Sequence, residues 1–426
     1  YTTNTKNDHK HIIENSGAKA VFVSKNKFAE KLVSAFHDNI KSPLVIGLDM
    51  DFKLSENSMS MDTLIENGKD RKEDISSLTS QWKRNDTACI IYTSGTGGLP
   101  KGVMLHHGAL LHNCFGAKSA LAEIGLGDEV FLSFLPLSHS YEHMAGQFFP
   151  MIIGAQIFYA EGVETLSTNM IEAQPTIITA VPRLYENFHQ KLLKHINKQG
   201  YLNKTLFKVT YKIGVKKYKQ PDSLSILEKL IDPVLEKLVR KKIQSRFGGR
   251  LKALVSGGAP LNPDIGIFFT ALGLKILQGY GQTESAPVIS VNRSVNTKMH
   301  TVGPVIQDTE VRIANDGEIL CKGDLVMQGY WKDDDATQNA IKDGWLHTGD
   351  IGYLDEDSHL IITDRKKDII VNSGGDNIAP QRIEGILCLT PEIGQAMVYG
   401  DNKPHIVALI VPDDTWLNDW CAKNQK

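Results

Sequence analysis

A chain of 426 residues with 41% hydrophobic and 23% charged residues has the make-up of an ordinary globular protein and the length for two or three domains with large cores. Its formal net charge of −2 gives no bulk reason to expect a nucleic-acid partner. The five cysteines (Cys89, Cys114, Cys321, Cys388, Cys421) are odd in number and scattered, with no CxxC pair or Cys/His cluster for zinc, and read as those of a reduced, cytoplasmic protein. The most apolar stretch, Phe148–Ile153, is far too short to span a bilayer. The polar opening at Tyr1 does not read as a signal peptide, and a start without methionine reads as that of a longer chain.

In chain order, Asp8–Ser16 reads as helix, Ala20–Val23 as strand, Lys27–Asn39 as helix and Leu44–Leu48 as strand, an alternation that favours a parallel sheet. Asp51–Arg84 shows no period and reads as a polar connection. The apolar run Ala88–Ile91 then delivers the chain into Tyr92–Leu105, YTSGTGGLPKGVML, with a helical pattern from near His106 to Ala122 beyond it. Such a loop can fold its backbone N–H groups around phosphate oxygens, because Gly95, Gly97 and Gly98 permit the torsions and the close approach. Thr93, Ser94 and Thr96 add hydroxyl donors and Lys101 a positive charge. It is neither a Walker A loop, since Lys101 stands between Pro100 and Gly102, nor a dinucleotide fingerprint, since Pro100 stands where the third glycine belongs.

Val130–Leu135, Gln156–Tyr159, Thr176–Thr179, Leu251–Val255 and Lys275–Leu277 read as further strands, with a helix over Asn262–Leu272. His139, just after the first of these, would ordinarily be structural. Two strings follow later strands, at the place where ligands collect in open α/β sheets. In Ser256-Gly257-Gly258-Ala259-Pro260 the small residues would let a flat ring approach the backbone. In Gln278-Gly279-Tyr280-Gly281-Gln282-Thr283-Glu284, Tyr280 offers an aromatic face, Thr283 a hydroxyl and Glu284 a hard oxygen for magnesium. Ahead of both, Lys191–Gln220 holds nine lysines and no acid, either a solvated helical face or a contact with an anionic membrane.

From Thr309 the pattern turns antiparallel: short strands over Glu310–Ile313, Glu318–Lys322 and Leu325–Val326, the first two joined at Asn315-Asp316-Gly317. In His347-Thr348-Gly349-Asp350 the carboxylate ends a tight glycine turn, suited to both hydroxyls of a ribose. Tyr353–Leu354 with His359–Thr363 reads as a hairpin, Ile369–Val371 as strand, Gln381–Leu389 as helix, and Gln395–Tyr399 and Ile406–Val411 as strands.

Four strings in this order resemble the adenylate-forming, AMP-binding enzymes: TSGTGGLPKG, with Gly97 where that family usually has threonine; SGGAPL; YGQTE; and HTGD. LPLSHSYEHMAG, VPRLYE, SGGAPLNPDI and ITDRKKDIIVNSGGDNIAP resemble the long-chain fatty acyl-CoA synthetase branch, and the likeness runs from about Lys10 to Asp413. The resemblance implies an α/β protein: a large N-terminal domain over 1–364, with mixed and parallel sheets and a small antiparallel barrel-like part, and a small, incomplete α+β domain over 365–426 that pivots at Lys367. It implies ATP, Mg2+ and coenzyme A as reactants and a long-chain fatty acid as substrate, activated as an acyl-adenylate and transferred to CoA. A short or aromatic carboxylate, or a catalytically silent nucleotide- or lipid-binding relative, stands as the alternative.

The same resemblance implies roles for residues. Thr93 through Gly98 and Lys101 would cradle phosphate, with Thr96 and Glu284 on the metal. Gly258, Ala259, Pro260 and the run Gln278, Gly279, Tyr280, Gly281, Gln282 and Thr283 would hold adenine and the α-phosphate. Asp350 would take the ribose, with Ile362 and Arg365 beside the nucleotide. Glu284, Thr283, Lys101 and His139 would act in catalysis. A second lysine that the family carries near its C-terminus has no match before Lys426, and a protein lacking it would adenylate poorly.

Overall fold

The computed structural model describes residues 4–36, 43–48, 57–93, 99–374, 376–390 and 392–424. Its centre is a six-stranded sheet in the order Val288–Val291, Ile276–Gly281, Ala253–Ser256, Ile177–Ala180, Val130–Ser133, Gln156–Tyr159. All neighbours run parallel except the first pair, which is antiparallel. The three inner strands Ala253–Ser256, Ile177–Ala180 and Val130–Ser133 are buried along their whole length, which is why they read as unbroken apolar runs and not as alternations. Cores lie on both faces. One joins Phe207, Phe268 and Phe269 to Leu254 and Ile276. The other sets Cys114 and Leu121 of helix His107–Leu121 and Met144, Ala145 and Phe149 against Phe131, Ile177 and Leu277.

Local signals place these elements. Asn262 accepts from the Asp264 N–H with Pro263 in the first turn, so helix Pro263–Ala271 starts there. Gly273, at φ +84°, turns the chain out of it and into Ile276–Gly281. At the strand's end Gly281 must be glycine, since a Cβ would fall 1.7 Å from the Pro287 carbonyl oxygen.

Three smaller sheets flank this one in the region up to Arg365. Ala20–Val23, Leu44–Gly47 and Ser58–Ser60 form the parallel sheet expected near the start, covered by Ile13, Ala29 and Leu32. The helix expected over 27–39 ends at Val33, and residues 37–42 lie outside the described ones. The stretch 57–84, expected to be a featureless connection, instead carries strand Ser58–Ser60 and helices Met61–Gly68 and Ile75–Thr79, capped by Ser60 and Asp74. These elements are too short for their period to show.

A second correction concerns the glycine-rich loop. It does not join strand to helix. Lys101–His106 is itself a strand, antiparallel to Thr87–Thr93, with Lys101 opposite Thr93. Val103 and Leu105 are buried, which is the alternation of a half-buried strand. Gly329–Tyr330 adds a third strand to this hairpin, pairing Tyr330 with Val103.

The antiparallel part is a five-stranded sheet whose hydrogen bonding does not close on itself among the described residues. Trp345–Leu354 has Glu318–Lys322 on one edge, and Ile341–Lys342 followed by Leu360–Arg365 on the other. Leu325–Val326 is a turn and not a strand; Leu325 is buried there, so its apolarity serves the core. Beyond Arg365 come the pair Ile370–Val371 and Asn377–Ile378, helix Pro380–Leu387, the hairpin Ile393–Tyr399 with Val407–Pro412, and a helix Asp414–Asn424 that the sequence did not announce. Among the described residues no helix is long and apolar enough to cross a membrane.

Candidate active site

Ser133, Ala180, Ser256 and Gly281 end four neighbouring strands on the same edge of the central sheet. The loops after them open a cleft of about 870 Å3, as the topology of such sheets favours. Thr93, Lys101, His139, Gly258, Gly279, Tyr280, Gly281, Gln282, Thr283, Glu284, Arg365 and Lys367 all line it, so most of the described residues picked from sequence come together. Ser94, Gly95, Thr96, Gly97 and Gly98 lie outside the described residues. Ala259, Pro260, Gln278, Asp350 and Ile362 are not in the lining. The Gln278 amide is taken up by the backbone, accepting from Leu261 N–H at 2.8 Å and donating to the Thr301 carbonyl at 3.0 Å, so it braces the loop below.

At the polar end Tyr280 donates to Asp350 Oδ2 at 2.7 Å, and Arg365 Nε donates to Asp350 Oδ1 at 3.0 Å. Asp350 is buried behind these two side chains. Burial, then the Asp350 charge, pushes the Tyr280 hydroxyl well above its ordinary pKa, so it remains a donor. The strands explain the meeting, since Asp350 and Arg365 face each other across the pair Trp345–Leu354 and Leu360–Arg365.

Thr283 and Ser140 share a hydroxyl hydrogen bond of 2.9 Å, joining the loops after two strands. Glu284 accepts from Tyr330 Oη at 2.8 Å through Oε1, and its carbonyl accepts from Met327 N–H at 2.9 Å. Lys101 Nζ stands 5.1 Å from the centre of the same Tyr330 ring and 3.5 Å from Asp333. Strand Gly329–Tyr330 thereby sets the lysine and the carboxylate relative to each other. A single carboxylate completed by phosphate oxygens and water is the ordinary way to hold Mg2+, so Glu284 fits such an ion, while the described residues contain no cluster of three or more His, Cys, Asp or Glu for a protein-only metal site.

His139 accepts from the Tyr141 N–H at 3.2 Å through Nδ1, and burial lowers its pKa. A neutral imidazole so held carries its proton on Nε2 and can donate from there. The buried Ser256 Oγ, also on the cleft wall, has no protein partner. Below the floor, Glu142 accepts from Ser133 at 2.6 Å and from Thr179 at 3.0 Å, and burial raises its pKa to about 7 against the pull of those hydrogen bonds. It comes so close to Gly146 that a Cβ there would meet Oε1 at 2.3 Å.

The other end of the cleft is apolar. Ala117, Leu121, Phe131, Met144, Ala145 and Phe149 line it, between helix His107–Leu121, the sheet and the wide-turned helix His143–Phe148. Sequence reading passed over Ser140, Tyr330, Ser256 and Glu142. Ser140 and Glu142 stand inside the string that holds His139, and Ser256 inside SGGAP, so the signal was adjacent. Tyr330 carries no local signal, because its pairing is made only across sheets.

Fold and cleft together define a multi-sheet α/β protein with a small-molecule site at its strand ends, charged at one end and apolar at the other. The chain belongs to the AMP-binding enzyme family, whose model matches residues 1–331; the AMP-binding enzyme C-terminal domain matches residues 367–422. Among curated relatives it is 36% identical over 349 residues to the long-chain-fatty-acid–CoA ligase FadD15 of Mycobacterium bovis, covering 81% of this chain and 57% of that one. It is 34% identical over 359 residues to the peroxisomal long chain acyl-CoA synthetase 6 of Arabidopsis thaliana, covering 80% and 50%. The chain thus spans little more than half the length of these relatives. Among solved structures, o-succinylbenzoate CoA synthetase from Bacillus subtilis, bound to its acyl-adenylate intermediate, shares the fold with a TM-score of 0.67 at 22% identity, covering 98% of this chain and 74% of that one.

Proposed function

We propose that this protein is a long-chain fatty acid–CoA ligase that uses ATP. The observation that carries the reading is a charged pocket and an apolar pocket joined in one cleft at the strand ends. The names of the relatives at 34–36% identity point the same way.

In this reading a fatty-acid carboxylate oxygen attacks the α-phosphorus of ATP. The bond from that phosphorus to the bridging oxygen breaks, and pyrophosphate leaves. The CoA sulfur, its proton lost, then attacks the acyl-adenylate carbonyl, and AMP leaves with the electron pair of the broken C–O bond. Tyr280 and Asp350 hold adenine and ribose, with Gly258 and Gly279 giving the ring close approach. Lys101 and Arg365 offset charge on the phosphates, and Thr283 donates to the α-phosphate. His139 Nε2–H steadies the acid, whose tail lies along Met144, Ala145 and Phe149. Glu284, with Thr96, would hold Mg2+, which when bound neutralises phosphate charge. A swing of the residues after Lys367 would expose a second face to CoA between the two steps. The setting is cytoplasmic, with peripheral contact at an anionic membrane where the substrate partitions.

The test is direct. The full-length protein, given palmitate, ATP and Mg2+, should release pyrophosphate, and on addition of CoA should form palmitoyl-CoA. Release with acetate or benzoate but not with palmitate would overturn the substrate assignment, and no release with any acid would overturn the activity.

A further inference from the structure

Away from the cleft, the helix Ile226–Leu235 continues without a break through Glu236–Arg240 into Lys241–Ser245 and packs beside helix Tyr201–Lys219. Its inner side is Leu235 and Ile243, both buried. Its outer side is also apolar: Ile226, Leu230, Val234 and Leu238 recur every four residues and are 81%, 69%, 53% and 41% exposed. That spacing puts them in one stripe along the helix.

The charges are sorted around this stripe. The three acids of the run, Glu228, Asp232 and Glu236, are all held by cations: Glu228 by Lys216 at 2.7 Å, Asp232 by Lys217 at 3.0 Å and Arg240 at 2.7 Å, and Glu236 by Arg240 at 3.3 Å. Lys229, Lys237 and Lys241 are exposed and make no ion pair with the described residues. The result is an apolar stripe edged by cations with its anions neutralised.

We propose that this face seats the protein on an anionic lipid surface, the stripe entering the boundary between headgroups and acyl chains and the three lysines meeting lipid phosphates. A symmetric dimer through the same face would set its lysines against their own copies, so charge disfavours a second copy of this chain as the occupant. In the lysine-rich segment 191–220, three of the nine lysines are taken up within the protein, Lys194, Lys216 and Lys217 being bridged to Asp419, Glu228 and Asp232. The docking gives a surface to the peripheral membrane contact proposed above and rests on that part of the reading, while the chemistry of the cleft does not enter it.

Flotation of the full chain with phosphatidylcholine vesicles, with and without phosphatidylserine, tests this. Binding should require phosphatidylserine and weaken with salt. Ile226→Gln/Leu230→Gln and Lys229→Glu/Lys237→Glu should each lower partitioning by roughly tenfold or more with unchanged melting temperature. Absence of binding to the anionic vesicles, or binding that survives both double variants, overturns the proposal. So does a dimer in ultracentrifugation that Ile226→Gln/Leu230→Gln dissociates. Pyrophosphate release with a short, water-soluble acid, followed in parallel, reads the cleft alone and separates failure of docking from failure of the ligase reading.

Discussion

Tyr280 and Asp350, distant in the chain, are joined by a 2.7 Å hydrogen bond from the phenol to a buried carboxylate. The ring thus has a fixed position on the cleft wall, and the carboxylate is held between it and Arg365. Tyr280→Phe keeps the aromatic face and removes this anchor. A hydrogen bond to a charged group contributes about 1.5 kcal/mol, so ATP should bind roughly tenfold more weakly by calorimetry. Unchanged affinity would show that the contact does not order the nucleotide pocket.

Tyr330 holds Glu284 from the side, as outer-shell donors hold metal-binding carboxylates. Tyr330→Phe is expected to weaken divalent-cation binding in the presence of ATP by about tenfold, read by Mn2+ electron paramagnetic resonance. Glu284→Ala should abolish the ATP-dependent Mn2+ signal and pyrophosphate release, with circular dichroism unchanged. Full release by Glu284→Ala would remove Glu284 from the chemistry.

Ala145 faces the apolar end of the cleft. Ala145→Phe fills that end without touching the charged pocket. The ratio of kcat/KM for palmitate to that for octanoate should fall by roughly a hundredfold while ATP affinity stays constant, as a few excluded methylenes would require. An equal loss for both acids would mean that the tail lies elsewhere. Overpacking at this site costs about 1–3 kcal/mol, so melting temperature serves as the control.

Glu142 gives a pH prediction with a definite sign. Its folded-state pKa, raised by burial to about 7, lies above the ordinary glutamate value of 4.5. Below that lower value both states are protonated, and the neutral carboxyl's contribution to stability is complete. As pH rises toward 7 the unfolded state ionises first, and that contribution, of the order of a few kcal/mol, is lost. Glu142→Gln cannot ionise. Its melting temperature should fall less than that of the wild type between about pH 5 and 7. Parallel curves would place the titration elsewhere.

Much of this protein was legible in one dimension. Ala20–Val23, Gln156–Tyr159, Glu310–Ile313 and Glu318–Lys322 were read with the bounds the structure gives them. The central strands declared themselves because a strand buried on both faces must be apolar throughout. The strings around Lys101, Thr283 and Asp350 stood out by their residues, although the structure places Asp350 within strand Trp345–Leu354, opposite Arg365, and not at the end of a tight turn. What lay beyond reach was set by partners distant in sequence. The 101–106 strand was hidden because its glycine-rich approach suggested a loop ahead of a helix, and only its pairing with Thr87–Thr93 and Gly329–Tyr330 resolves it. The strand order of the antiparallel sheet depends on which edge each strand takes. That Gln278 turns to the backbone, that Tyr330 reaches Glu284, and that acids and lysines separate around the 226–245 helix depends on side-chain neighbours. Composition and period record which residues are buried; they do not record which surfaces meet, because that choice is made when remote segments pack.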